Sequence, residues 1–191
     1  MAVSGGTRKT ADDRRRELIN IGLRLLVERP IHELAIDEVA KQAGISRGLL
    51  FHYFPTKGDY YAAVVEAATR RILNQTKLPT DGDERTKLTA VVGGLVRFIR
   101  RRRANYVALV RGAAGGDVRN VELFDALRDE LTERVLVAAG VVEPDLRTKL
   151  LARGWLAMAE EMAISSVESQ IRADELIELL VDSFDRIVRA V

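Results

Sequence analysis

Few side chains in this sequence have the type and spacing to make or break bonds. The 191 residues include no cysteine and only two histidines, His32 and His52. Disulfides, cysteine–zinc sites and cysteine nucleophiles are excluded, and two histidines with no cysteine to assist them make a poor metal-ligand set. There is no Ser-His-Asp arrangement and no glycine-rich phosphate loop. The pairs Gly93-Gly94 and Gly115-Gly116 are too sparse to cradle a cofactor. An enzyme is not expected, and neither is a cofactor or a metal. What remains is recognition chemistry, concentrated between Leu34 and Phe54.

Stepping out from that segment, apolar residues recur at spacings of three and four, and the alternation of strands is missing. Only four prolines occur, each at a plausible helix boundary. The pattern predicts an all-α chain of about nine helices. They run over about 10–28, 36–43, 46–54, 57–75, 83–103, 105–113, 118–139, 144–168 and 173–190. In the first, Leu18, Ile21, Gly22, Leu25 and Leu26 form the inward stripe. The second and third are short and separated by Gly44, which reads as a helix-turn-helix over about 34–54. Val39, Ala40, Ile45 and Leu50 must pack the pair together. Ala40 is small enough for close approach, and Gly44 can take the positive φ of a tight helix exit. The third helix is then free to enter a major groove of duplex DNA, its N-terminal residues toward base edges.

Charge is consistent with this but weakly informative. The net charge is +2, and residues 1–74 carry 12 Lys+Arg against 9 Asp+Glu, a slightly basic N-terminal third. Hydrophobic residues make up 47% and charged residues 30%, the balance of a globular protein. No run approaches the roughly 18 apolar residues of a membrane span. Met1–Thr10 is polar and lacks the apolar core of a secretory leader. A cytoplasmic protein is expected.

The segment resembles the tetracycline-repressor (TetR) family of regulators. The matching residues are Val39-Ala40, Ala43-Gly44-Ile45-Ser46, Gly48, Leu50 and His52-Tyr53-Phe54-Pro55-Thr56-Lys57. The resemblance covers about residues 11–71; beyond it the chain is similar in architecture only. It implies a flexible arm over 1–10, a DNA-binding domain over 11–71 and a ligand-binding and dimerisation domain over 72–191. It also implies a transcriptional regulator, a repressor, that binds a palindromic operator in double-stranded DNA as a homodimer and is released by a small-molecule effector.

Carried onto this chain, the resemblance makes Ser46, Arg47, Gly48, Leu49, Phe51, His52, Tyr53 and Lys57 the DNA-binding set. Arg47 has the donor fork for a guanine edge or a phosphate. Gly48 lets the backbone lie close to DNA, and His52 and Tyr53 can donate to bases or phosphates. Lys57 opens a helix whose orphan amides also favour phosphate. Arg8 and Lys9 could add contacts. Three positions depart from the family pattern. Ala35 lacks the usual hydroxyl cap, Leu49 replaces a threonine, and Phe51 replaces a tyrosine that often holds a phosphate.

Elsewhere, Phe98, Tyr106, Trp155, Met158 and Met162 are candidate effector-pocket residues. Leu151, Leu156, Leu176, Leu180, Phe184 and Ile187, on the last two helices, are expected at the dimer interface as a four-helix contact. Glu160 and Glu161 interrupt an apolar stretch; exposure at its rim is the favoured reading, and the alternative is that one of them pairs with an arginine across the interface or meets a cationic ligand. Arg100–Arg103 reads as a solvated helix end rather than a nucleic-acid patch. Two other readings were weighed: an enzyme, poorly supported as above, and a helical adaptor without DNA binding, to which Leu49 and Phe51 lend slight support.

Overall fold

The computed structural model describes residues 10–26, 34–104, 106, 107, 110 and 118–189. Among them the chain is all-α, with eight α-helices. They are α1 (Ala11–Leu25), α2 (Ile36–Gln42), α3 (Arg47–Tyr53), α4 (Lys57–Gln75), α5 (Glu84–Arg101), α6 (Val118–Ala138), α7 (Leu146–Ser165) and α8 (Ala173–Phe184). A single wide turn, Asp185–Arg189, continues α8. The expected helix over 105–113 and the N-terminal arm fall largely outside the described residues, as do His32, Arg8 and Lys9.

Side-chain caps fix where the helices begin. Thr10, Ser46, Thr56, Asp83 and Asp145 each accept a hydrogen bond from the third residue beyond them, answering one of the orphan amides of a helix start. Ala35 makes no such bond at the start of α2, as its side chain requires. Asp83 and Asp145 are held ionised below their ordinary carboxylate pKa by the bonds from Thr86 and Thr148. Caps of this sign are fully formed above the unfolded value and are lost only as pH falls through the lowered one.

α1 packs on α2 and on α4, α2 on α3, and α4 in turn on α5 and α6. The α1 stripe is wider than expected, because Ile19 and Leu23 are buried beside Leu18, Ile21, Leu25 and Leu26. Gly22 explains how closely α1 meets α4. A methyl group there would come 2.5 Å from the Tyr60 hydroxyl, which instead donates to the Leu18 carbonyl at 2.8 Å. Tyr61 donates in the same way to the Leu34 carbonyl. Beyond α4, helices α5 to α8 close a second core, in which α5 lies against α6, α7 and α8.

Guanidinium groups hold several helix ends in place. Arg100 donates to the Ser166 hydroxyl (2.9 Å) and the Ile171 carbonyl (3.0 Å), and Arg103 to the Ile164 carbonyl (3.1 Å). The expectation of a solvated arginine run is therefore corrected: these two arginines clamp the α7–α8 connection, where orphan carbonyls and the helix dipole both favour a cation. Arg134 of α6 does the same for α4, donating to the Leu73 and Thr76 carbonyls.

Gly94 sits where α5 crosses the end of α4, and a methyl group there would overlap the Gln75 carbonyl oxygen. Alanine gains roughly 1 kcal/mol in helix propensity, but overpacking against backbone costs about 1–3 kcal/mol. Gly94→Ala is expected to lower the urea midpoint. A midpoint that rises would mean the crossing has slack.

Candidate nucleic-acid interface

The turn between α2 and α3 follows from three consecutive residues. Ala43 ends α2, Gly44 takes φ +65°, and two hydrogen bonds close the exit: Gly44 N–H to Lys41 O (3.2 Å) and Ile45 N–H to Ala40 O (3.0 Å). This is the double bond of a helix stop built on a left-handed residue. No atom lies within 4 Å of where a Gly44 side chain would begin, so backbone conformation alone demands the glycine. Ile45 then packs against the core, and Ser46 caps α3 by accepting from Leu49 N–H at 3.2 Å.

α3 is held by one face only. Leu50 is fully buried and Phe54, just beyond the helix, nearly so; Phe54 stands edge-on to Tyr60 at 5.1 Å between ring centroids. Phe51 and Tyr53 are half-buried against the core. The other face is open: Ser46, Arg47, Gly48 and His52 are exposed, and so is Leu49, at 40%. Exposed leucine among a helix's polar residues has no intrachain use here. Nothing but the Ser46 hydroxyl lies within 4 Å of a side chain built at Gly48.

Arg47 is lightly held. It reaches the exposed Asp37 at 3.5 Å and lies 5.5 Å from the centroid of the Phe51 ring. An exposed pair of that length contributes little, so the guanidinium is available to a stronger anion. Lys57, the first residue of α4, lies over the Tyr61 ring at 5.0 Å. Beneath it, Thr56 and Asp59 form a reciprocal capping box. Arg119, from the first turn of α6, donates to Asp59 at 3.0 Å. The Thr56 bond first, and Arg119 second, hold the Asp59 carboxyl below its ordinary pKa of 3.8. Its cap is thus complete above that value and lost only in stronger acid. No local pattern points to Arg119, which lies 60 residues along the chain from Asp59. A cleft of about 410 Å³ opens beside this pair, between Arg15 of α1, Glu66 of α4 and Glu122 of α6.

The residues expected around an effector differ in their surroundings. Phe98 is buried with Arg102 over its ring at 5.9 Å, and Met158 and Met162 are half-buried. Trp155 donates its indole N–H to Ser183 at 2.9 Å and stands edge-on to Phe184, which commits it to the α7–α8 contact. Tyr106 has a carboxylate for a neighbour. It lies beside Glu160 of α7, and burial first, then that carboxylate, raise the phenol's pKa well above its ordinary value. Of the two adjacent glutamates, Glu161 is exposed and Glu160 is 3% exposed. The arginine Glu160 meets is Arg128 of its own chain, at 2.5 Å, which corrects, for Glu160, both the rim reading and the alternative of a partner across an interface. Tyr106 Oη, Arg128 Nε and Glu160 Oε1 are nevertheless buried without a hydrogen-bond partner. Each such atom costs about 1–3 kcal/mol.

The interface expectation is also corrected. Leu156, Leu176, Leu180 and Phe184 are at most 1% exposed; they fill the chain's own core and cannot reach a second copy. Leu151 is half-buried, and Ile187 is exposed. The apolar side chains these helices do leave outside are Leu146, Leu150, Leu179 and Ile187.

Family profiles match most of the chain. Residues 18–64 match the profile described as bacterial regulatory proteins, tetR family. Residues 84–186 match that described as tetracyclin repressor-like, C-terminal domain. The chain is 31% identical over 96 residues to the HTH-type transcriptional activator FasR of Mycolicibacterium smegmatis, covering 49% of this chain and 44% of that protein. It is 34% identical over 85 residues to the HTH-type transcriptional regulator BetI of Klebsiella pneumoniae, covering 42% and 44%. These matches thus span less than half the length of the curated relatives. Among solved structures, a tetR-family transcriptional regulator from Streptomyces coelicolor superposes with a TM-score of 0.83 at 32% identity, over 95% of this chain and 83% of that one. A TetR-like regulator from a Rhodococcus species shares the fold, with a TM-score of 0.73 at 20% identity over 92% and 95%.

The two glycines of the interface should separate folding from binding. Gly44→Ala forces a left-handed φ on a side chain and is expected to cost about 1–2 kcal/mol of stability. Gly48→Ala meets open space in a helix and should gain roughly 0.5–1 kcal/mol. It should still weaken affinity for duplex DNA in an anisotropy titration. Unchanged affinity would mean that DNA does not approach the backbone there.

Proposed function

The chain belongs to the tetracycline-repressor family of bacterial regulatory proteins, and from that premise we propose that it is a repressor released from DNA by a small-molecule effector. Its relatives are DNA-binding transcriptional regulators, not enzymes. In this reading residues 11–71 bind DNA and 72–191 receive the effector and pair two copies. The dimer sits on a palindromic operator in the cytoplasm.

One observation carries the DNA reading: α3 buries Leu50 and leaves Ser46, Arg47, Gly48, Leu49 and His52 facing outward. A helix docked by one side and polar at its N-terminal end fits a major groove. Arg47 then reads a base edge or a phosphate, Leu49 suits a thymine methyl, and Lys57 with the first amides of α4 holds a phosphate. Phe51 and Tyr53, half-buried, contribute mainly by supporting the helix.

The homodimer reading rests on the apolar side chains left outside α7 and α8. Leu146 and Leu150 are 76% and 63% exposed, one helical turn apart, and Leu179 and Ile187 add to the apolar surface of α8 and its continuation. Pairing two copies through these helices gives an isologous contact and sets two α3 helices about 34–36 Å apart for successive grooves. An activating role is the second reading, favoured by the named activity of FasR. A promoter–reporter fusion with and without the gene separates the two by sign.

Two sets of variants test the proposal. Lys57→Ala should weaken binding to cognate and random DNA alike and lower the salt slope by about one unit. Arg47→Ala should reduce discrimination by roughly tenfold or more, if Arg47 reads a base. Equal losses on both DNAs would reassign Arg47 to the backbone, and salt-independent binding would end the DNA reading. Leu150→Arg should yield monomers by light scattering, with unchanged circular dichroism, and weaken operator binding. A dimer that persists would locate the contact elsewhere.

A further inference from the structure

Three helical segments bring one polar group each to a single buried point. Tyr106 comes from the turns after α5, Arg128 from the middle of α6 and Glu160 from the middle of α7. Tyr106 is 1% and Glu160 3% exposed. Arg128 Nη2 meets Glu160 Oε2 at 2.5 Å, and its guanidinium lies over the Phe124 ring at 4.8 Å. After these contacts Arg128 Nε–H and Glu160 Oε1 are left open, and the Tyr106 phenol beside that carboxylate can turn its hydroxyl to the carboxylate or to a ligand.

Charge decides what such a cluster can take. Arg128 already neutralises Glu160, so an added cation or anion would be buried without a counter-charge. A neutral head carrying a donor and an acceptor on neighbouring atoms would answer both open atoms at once. We propose that Tyr106, Arg128 and Glu160 form the polar end of an effector site that takes an uncharged amphipathic molecule with an amide or hydroxyl head. The head accepts from Arg128 Nε–H and donates to Glu160 Oε1, while the phenol supplies a further bond. The apolar body lies among the surrounding aliphatic and aromatic side chains, in keeping with the common make-up of small-molecule sites. The assignment rests on the reading of residues beyond α4 as the ligand-receiving part of a regulator, and it names the ligand's chemistry.

The test uses the full chain and a matched set of probes: octanamide, 1-octanol, octanoate and octylammonium. Binding is measured without DNA, by calorimetry and by the thermal midpoint. Octanamide or octanol should bind and raise the midpoint, and the two charged members should not. Tyr106→Phe and Glu160→Gln, with circular dichroism confirming the fold, should each weaken the neutral probe by roughly tenfold, the usual cost of one lost hydrogen bond in a buried site. Val137→Thr, at an exposed position of α6, should leave it unchanged. No binding by any neutral probe, tighter binding of a charged one, or identical affinity in Tyr106→Phe and Glu160→Gln would overturn the proposal. Identical affinity would leave the Arg128–Glu160 contact as a structural ion pair. Operator binding in the absence of probe is titrated separately. Its loss would count against the regulator reading, and its retention with no probe bound would count against the site alone.

Discussion

The position of α3 depends on how α4 is held. Only Phe54, Pro55 and Thr56 separate the two helices, and Phe54 is buried against Tyr60, so the exposed face of α3 follows the start of α4. On one side α4 is fastened to α1 and to the lead-in of α2 by two buried phenols, Tyr60 on the Leu18 carbonyl and Tyr61 on the Leu34 carbonyl. On the other it is gripped at both ends from α6, by Arg119 on the Asp59 cap and by Arg134 on the Leu73 and Thr76 carbonyls. The two grips differ in strength. The Arg119 pair is largely exposed, where solvent screening leaves an ion pair little net value. Arg134 is better covered and makes charge-assisted bonds to carbonyls, worth about 1.5–3 kcal/mol each. The carbonyl end of α4 is the fixed end, and the end next to α3 is the one that can give.

The same chemistry recurs through the bundle. Arg100 and Arg103 secure the α7–α8 connection, and Arg189 reaches the Ala139 carbonyl at the end of α6. Helix C-termini leave carbonyls unanswered. Here α6 meets a positive-φ glycine, Gly140, just past its end, and α4 is answered by an arginine in its place. With 30 basic residues against 28 acidic ones, and several arginines committed to carbonyls and carboxylates of their own chain, charge count alone marks no nucleic-acid footprint.

How much of this was legible in the sequence differs by level. Helix positions were, because caps and glycines are local: Thr56 before Lys57 and Gly44 after Ala43 mark boundaries that backbone geometry confirms. So was the open face of α3, since Leu50 is the apolar position that must be buried once Val39 and Ala40 are. What could not be read was partnership across the chain. Leu156, Leu176, Leu180 and Phe184 have the same periodicity whether they face their own core or a second copy, and periodicity does not say which. Arg100–Arg103 looks like a charged helix end until the carbonyls of Ile164 and Ile171 are brought to it. Glu160 carried a legible anomaly, a charge in an apolar stretch. Its partner, Arg128, lies 32 residues away and is one of many arginines in the sequence.

That partner lies on α6, which links the interior of the bundle to the DNA side. Arg119, Arg128 and Arg134 are successive grips of one helix, on the α4 cap, on Glu160 and on the α4 carbonyls. At about 1.5 Å per residue the outer two are roughly 22 Å apart, and a packed helix of that length moves as a rod rather than bending at one residue. On the proposed reading, a ligand that changed the partner of Arg128 would be felt at both outer grips, the exposed one at Asp59 being the first to yield. Coupling of this kind is reciprocal: whatever α6 does to the α3 face when Arg128 changes partner, duplex DNA on that face must do in return to the interior cluster. A small bias suffices, because the grip at the α3 end is the weak one.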